Sequence, residues 1–200
     1  MKPFLLLPLA ALVLASCTAG GSGRPGGTEV TRYHLNQPIA AGSVHIEPLA
    51  TNPMIGPEQA IYADAVAAEL SRKGYTRVAA ADAGASQYIA AVGFRRGSQG
   101  TVQTPPRFSI GIGGGSFGGG GGVGGGISTG FGAQTRELIV SELFVQLRRR
   151  SDGTVVWEGR AQSGALSRAA ETQPGVAAGR LASALFKGFP GESGITTVVR

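Results

Sequence analysis

The chain has 200 residues, of which 42% are hydrophobic and 15% charged, with a formal net charge of +6 at pH 7. That is one domain's worth of chain with enough apolar residues to build a packed core, which excludes a wholly disordered protein. Cys17 is the sole cysteine, so no disulfide framework and no zinc–thiolate cluster can be formed. The basic residues are scattered, with a single run at Arg148-Arg149-Arg150. They read as a solvated positive surface, or as one attracted to an anionic envelope surface.

The N-terminus carries the first signal. Lys2 gives a short positive start, and Phe4 to Val13 is apolar except for Pro8. The apolar run is about ten residues, against the roughly 20 that a membrane-spanning helix needs. This is the layout of a secretory signal peptide. It closes on Leu14-Ala15-Ser16-Cys17, which resembles the lipobox of bacterial lipoproteins. The resemblance implies cleavage after residue 16, acylation of Cys17 (palmitate and related chains) and a membrane partner reached through those chains. Thr18 follows the cysteine instead of Asp, which in Gram-negative lipoproteins implies the cell outer membrane, facing the periplasm. That address leaves nucleic acid out of the expected partners, and lipidation of Cys17 would leave the mature chain without a thiol. Residues 17–28 are rich in Gly and Ser and lack apolar periodicity, so they read as a lipidated flexible tether with an r.m.s. span of about 18 Å. Residues 29–200 then form a single periplasmic domain with a Gly-rich insertion at 107–133.

Within that domain, Glu29 to Asn36 alternates Val30, Arg32 and His34 with Thr31, Tyr33 and Leu35, which predicts a strand. Ser43 to Leu49 predicts a second, with Val44, Ile46 and Pro48 on one face and His45, Glu47 and Leu49 on the other. Thr51-Asn52-Pro53 signals a turn. Pro57 to Lys73 predicts a helix, with Pro57 at its first position and Gly74 as its stop. Its apolar stripe is read as Ile61, Ala65, Ala68 and Leu70, with Val66 beside them. Ser86 to Arg95 predicts a strand with Tyr88, Ala90, Val92 and Phe94 on one face.

Gly111 to Gly132 holds 14 glycines in 22 positions. The flanks Arg107–Ile112 and Ile127–Phe131 alternate apolar residues at period two, which predicts a hairpin with a glycine-rich tip. Thr135 to Arg149 predicts a long strand with Ile139, Ser141, Leu143, Val145 and Leu147 on one face. Asp152-Gly153 turns it into a further strand, in which Val155, Trp157 and Ala161 share a face. Pro174 to Lys187 predicts a second helix with Ala177, Leu181, Ala184 and Leu185 on one side, and Ile195 to Val199 a short final strand. The order β-β-α-β-(Gly-rich hairpin)-β-β-α implies an α+β fold. Its expected form is a two-layer sandwich, a mostly antiparallel sheet with two helices packed on one face.

Thr135–Val140 followed by Asp152-Gly153-Thr154-Val155-Val156-Trp157-Glu158-Gly159-Arg160-Ala161 resembles the C-terminal signature of a bacterial lipoprotein family, domain of unknown function 4136. The helix ending in Lys73-Gly74-Tyr75, the lipobox and the Gly-rich segment match as well, so the resemblance covers roughly residues 30–190. The N-terminal strand departs from the family's aromatic pattern. The resemblance implies a fold and no activity.

No catalytic or metal site, and no cofactor, is assigned from the sequence. The glycine run lacks the Gly-Lys-Ser/Thr of a phosphate loop. It is read either as a low-complexity loop or as a membrane- or partner-contacting segment through Phe108, Ile110, Ile112, Phe117, Ile127 and Phe131. His34 and His45, with Glu47 nearby, lack metal-ligand spacing, and no Gly-x-Ser-x-Gly elbow accompanies them. Trp157 is read as a core or sheet-face aromatic. The expected function is a non-catalytic structural or interaction module of the envelope, meeting an envelope protein or an anionic surface. The alternatives are a membrane-perturbing or oligomer-forming lipoprotein acting through the Gly-rich segment, and a periplasmic hydrolase using one of the two histidines as base.

Overall fold

The computed structural model describes residues 27–51, 56–104, 108–111, 128–131 and 134–200, those from 104 to 134 by their backbone alone. The signal peptide and lipobox, Cys17, the tether through residue 26, Asn52-Pro53 of the predicted turn, and Arg107, Ile112, Phe117 and Ile127 lie outside the described residues. The chain runs through β1 (Thr28–His34), β2 (Ser43–Pro48), α1 (Pro57–Arg72), β3 (Thr76–Arg77), β4 (Tyr88–Thr104), β5 (Phe108–Gly111) and β6 (Ser128–Phe131). It continues through β7 (Gln134–Arg149), β8 (Val155–Leu166), α2 (Pro174–Phe186) and β9 (Thr196–Val199).

Seven strands form one sheet in the order β3-β2-β4-β7-β8-β1-β9, and β5 pairs with β6. The sheet is mixed. β2 pairs in parallel with β3 and with β4, whereas β4–β7, β7–β8, β8–β1 and β1–β9 are antiparallel. The parallel β2–β4 pair needs a crossover, and α1 supplies it. Both helices pack on the same face, giving the two-layer α+β sandwich expected from the sequence. Their apolar sides and the inward rows of the sheet share one core of Val30, Val44, Tyr62, Val66, Phe94, Leu143, Trp157, Leu181 and their neighbours.

α1 starts on Pro57, whose missing N–H would have had no partner there. It stops through a Schellman pattern: the Gly74 N–H donates to the Ser71 carbonyl (3.0 Å) and the Tyr75 N–H to the Leu70 carbonyl (3.1 Å). Gly74 takes φ +88°, so Gly74→Ala forces a side chain into the left-handed region. A loss of about 1 kcal/mol is expected, read as a lower thermal midpoint with an unchanged near-UV circular dichroism spectrum. The buried side of α1 is Tyr62, Val66, Ala67, Glu69 and Leu70, whereas Ile61 is 39% exposed. The predicted stripe was therefore rotated by one residue. Tyr62 draws the helix round because its ring stacks on Phe94, with centroids 4.4 Å apart and planes within 10°.

Two strand readings are also corrected. β4 runs past Arg95 to Thr104, because β7 offers it a partner along that length and an irregularity between Ser98 and Thr101 absorbs the interrupted alternation. In β8, Leu147 pairs with Trp157 while Arg148 pairs with Val155. Val156 is thus an extra residue that flips the alternation. Val155 is 37% exposed while Trp157 is fully buried, so the two do not share a face. The stripe of α2 and the β7–β8 hairpin stand as predicted.

Tyr75, at the foot of α1, is 4% exposed, and its hydroxyl meets no protein partner. Burial, reinforced by the neighbouring Tyr88, pushes its pKa up to about 12. The unfolded chain ionises near 10, so the fold's stability is full below pH 10 and falls as pH rises toward 12. Tyr75→Phe removes both the unpaired hydroxyl and the titration. Urea denaturation at pH 9 and 11.5 is expected to show a drop between the two that is about 2 kcal/mol smaller in the variant than in the parent, the remainder in the variant including the buried Tyr62 hydroxyl.

Candidate functional site

Among the described residues, three regions can present chemistry: a β-ribbon, the sheet face without helices, and a strap that follows α2 and lies against β1. The ribbon arises because β4 and β7 outlast their neighbours. β8 leaves β7 at Leu138, opposite Leu166, while β4 stays paired as far as Thr104 with Gln134. The ladder is found again between β5 and β6, from Phe108 opposite Phe131 to Gly111 opposite Ser128. The hairpin predicted for the Gly-rich flanks is present in these strands. It brings Phe108 and Phe131 into register and places Ile110 opposite Thr129.

The helix-free face is a set of cross-strand rows. One reads Glu47–Ala91–Gln146–Glu158–Tyr33 from β2 to β1, and another Arg95–Glu142–Gln162–Glu29. Two of the carboxylates, Glu47 and Glu142, meet arginines. Arg148 bonds Glu47, Arg160 bonds Glu142, and Arg95 sits 3.8 Å from the second oxygen of the same Glu142. Gln146 donates to Glu158 at 2.9 Å, and the Arg160 guanidinium lies 5.4 Å above the Phe144 ring. Glu142 is 6% exposed, and the two arginines place positive charge beside its carboxyl group. The arginine run at 148–150 is likewise engaged within the protein. Arg149 pairs with Asp152 at 2.9 Å, and Arg150 donates to Ser86 at 2.9 Å. The Thr154 amide, followed by Arg149, holds the Asp152 carboxyl below the usual carboxylate range and fixes the tight turn.

The strap, residues 187–195, lies against β1. The His34 Nδ1 accepts the Asn36 N–H at 3.1 Å, so the ring proton sits on Nε2, which faces the Gly191 carbonyl at 3.0 Å. Arg32 reaches under the strap. Its Nε donates to the Leu185 carbonyl at 2.8 Å, and its Nη2 to the Ala184 and Lys187 carbonyls at 3.0 Å each. These are terminal carbonyls of α2, where the helix dipole is negative. Burial pulls the Arg32 pKa below the usual arginine range. Sequence reasoning passed over Arg32. Its signal was present, since alternation placed an arginine in the inward row of Val30.

The two histidines are kept apart. His34 and His45 lie on strands four positions apart, about 19 Å at ordinary strand spacing, and on opposite faces. His45 and Glu47 share a face, with Glu47 held by Arg148. Among the described residues, no group of three or more His, Cys, Asp or Glu side chains is arranged to hold a metal ion. No helix among them is long and apolar enough to cross a membrane.

Residues 45–191 match the model of a protein family described as Domain of unknown function (DUF4136). The chain belongs to this family. The match runs from within β2 through β8 and takes in both helices and the Val-Trp-x-Gly-x-Ala strand. An uncharacterised protein of Zymomonas mobilis is 43% identical over 74 residues, which is 37% of this chain and 28% of that relative's length. Among solved structures, PelC from Paraburkholderia phytofirmans, crystallised as a dodecamer, is similar over 78% of this chain and 92% of its own, at 17% identity and a TM-score of 0.43. A PDZ domain protein from Parabacteroides distasonis covers 86% of this chain and 39% of its own, at 10% identity and a TM-score of 0.45.

Proposed function

We propose that this family member is a lipoprotein of the bacterial cell envelope, held in the outer membrane by acyl chains on Cys17 and facing the periplasm. Its α+β domain acts as a non-catalytic structural or interaction module. The observation that carries this reading is the run Leu14-Ala15-Ser16-Cys17 at the end of a short apolar segment. Two or more acyl chains hold a protein stably, at about 0.8 kcal/mol per buried methylene, where a single chain does not. The architecture of the domain supports an interaction role. His34 orients a loop, and Arg148 and Arg160 on the open sheet face are paired with Glu47 and Glu142. A long ribbon is left to meet a partner, either an envelope protein or an anionic surface.

Cys17→Ser should move the protein from the membrane fraction to the soluble periplasmic fraction. Continued sedimentation with membranes would refute the anchor. Crosslinking in intact cells, followed by identification of the captured partners, tests the interaction role. A defined envelope partner is expected, and capture of abundant proteins in proportion to their abundance would count against it.

A further inference from the structure

We infer that the β-ribbon is directed at the same membrane leaflet that holds the Cys17 acyl chains, and that lipid is the partner of its distal strands. This rests on the lipid anchor proposed above. The register carries the argument. Thr28, the first residue of β1, lies in one row with Ser163, Ser141 and Arg96. The chain from Cys17 therefore enters the sheet at the level of that row. From the same row β7 continues seven residues, from Ser141 to Gln134, in the direction away from the sheet. At ordinary strand rise this is about 23 Å, before β5 and β6 are reached. The chain before Thr28 and the ribbon thus leave the same end of the sheet. A domain anchored from that end turns β5 and β6 toward the headgroups.

The sequence of the ribbon suits that place. β5 (Phe-Ser-Ile-Gly) and β6 (Ser-Thr-Gly-Phe) carry no charge, and their Phe and Ile are residue types that favour the membrane interface. The strands contribute backbone that is already paired, so the cost of placing unpaired amides among acyl chains is reduced.

The test uses the full lipidated protein, whose Cys17 thiol is blocked, so that an introduced cysteine is unique. Ile110→Cys on β5 and, separately, Ser151→Cys in the β7–β8 turn at the opposite end are labelled with a polarity-sensitive nitrobenzoxadiazole dye. Each is mixed with vesicles of phosphatidylethanolamine and phosphatidylglycerol, with and without doxyl-labelled lipid. The label at 110 is expected to rise several-fold in emission and to be quenched by the doxyl groups, and the label at 151 to do neither. Flotation with the vesicles without quenching at 110 overturns the inference and leaves the anchor standing. A rise at 110 that doxyl lipid does not quench also overturns it, because a protein surface then covers the ribbon. Quenching at 151 overturns it by reversing the orientation. Failure to float at all refutes the anchor itself, and the inference with it. Ser128→Cys, opposite Gly111 on β6, reads the same end should Ile110→Cys misfold.

Discussion

Trp157→Ala is expected to destabilise the domain by about 3–5 kcal/mol, a large share of the 5–15 kcal/mol typical of a whole fold. The indole is fully buried, stacks on Phe186 with centroids 5.3 Å apart, meets Phe189 at 5.2 Å, and donates its N–H to the Pro190 carbonyl at 3.0 Å. It thus ties β8, the end of α2 and the strap together. It also lies over its own strand. A Cβ at Gly159 would stand 2.4 Å from the far edge of the indole and 2.7 Å from a Leu185 methyl. This gives the Val-Trp-x-Gly-x-Ala signature a physical meaning, since the glycine leaves the room into which the tryptophan folds. Gly159→Ala should cost about 1–3 kcal/mol by overpacking. In the double variant the two losses should sum to less than their parts, because removing the indole removes the clash. Urea midpoints of the four proteins give the cycle directly. Additive losses would show that the glycine matters for some other reason.

Arg32→Ala should be the next most damaging change, at about 2–4 kcal/mol. The guanidinium is 6% exposed and serves three carbonyls at the end of α2, and each buried carbonyl left without a donor costs about 1–3 kcal/mol. Arg32→Lys keeps the charge but loses the planar fork, so it should recover only part of the loss. The readout is the urea midpoint at constant slope, together with hydrogen exchange over 184–187. If Arg32→Lys matched the parent, the bond geometry would be irrelevant and the charge alone would suffice.

The sequence made some of these features plain and hid others, for identifiable reasons. The α2 stripe of Ala177, Leu181, Ala184 and Leu185 repeats cleanly, and Asp152-Gly153 marks the β7–β8 hairpin, so both were legible. The buried side of α1 was misread because Ile61 looks more apolar than Tyr62. A stacking partner 32 residues away, Phe94, decides between them. The bulge at Val156 cannot be seen in a strand that reads as unbroken alternation. The parallel pairing of β2 with β4 depends on where α1 packs, which no local pattern states. The role of Arg32 was half legible, as a cation in an inward row, but its partners come from a helix more than 150 residues further on. The ribbon flanks were readable from their period of two. Their direction relative to the tether was not, because it follows from the register of four strands at once.

The position of β1 has a consequence for the order in which the domain assembles. β1 is the first strand among the described residues, yet it lies between β8 and β9, pairing Thr28 with Ser163 on one side and Val199 on the other. The β4–β7–β8 meander can close from neighbouring segments, but β1 has nothing to pair with until residues more than a hundred positions later have appeared. Such distant pairings slow folding. The chain therefore remains open at its N-terminal end until almost its last strand is available, and a truncation before Thr196 would leave β1 with a bare edge. Completion of the sheet is thereby a late event in the life of the polypeptide.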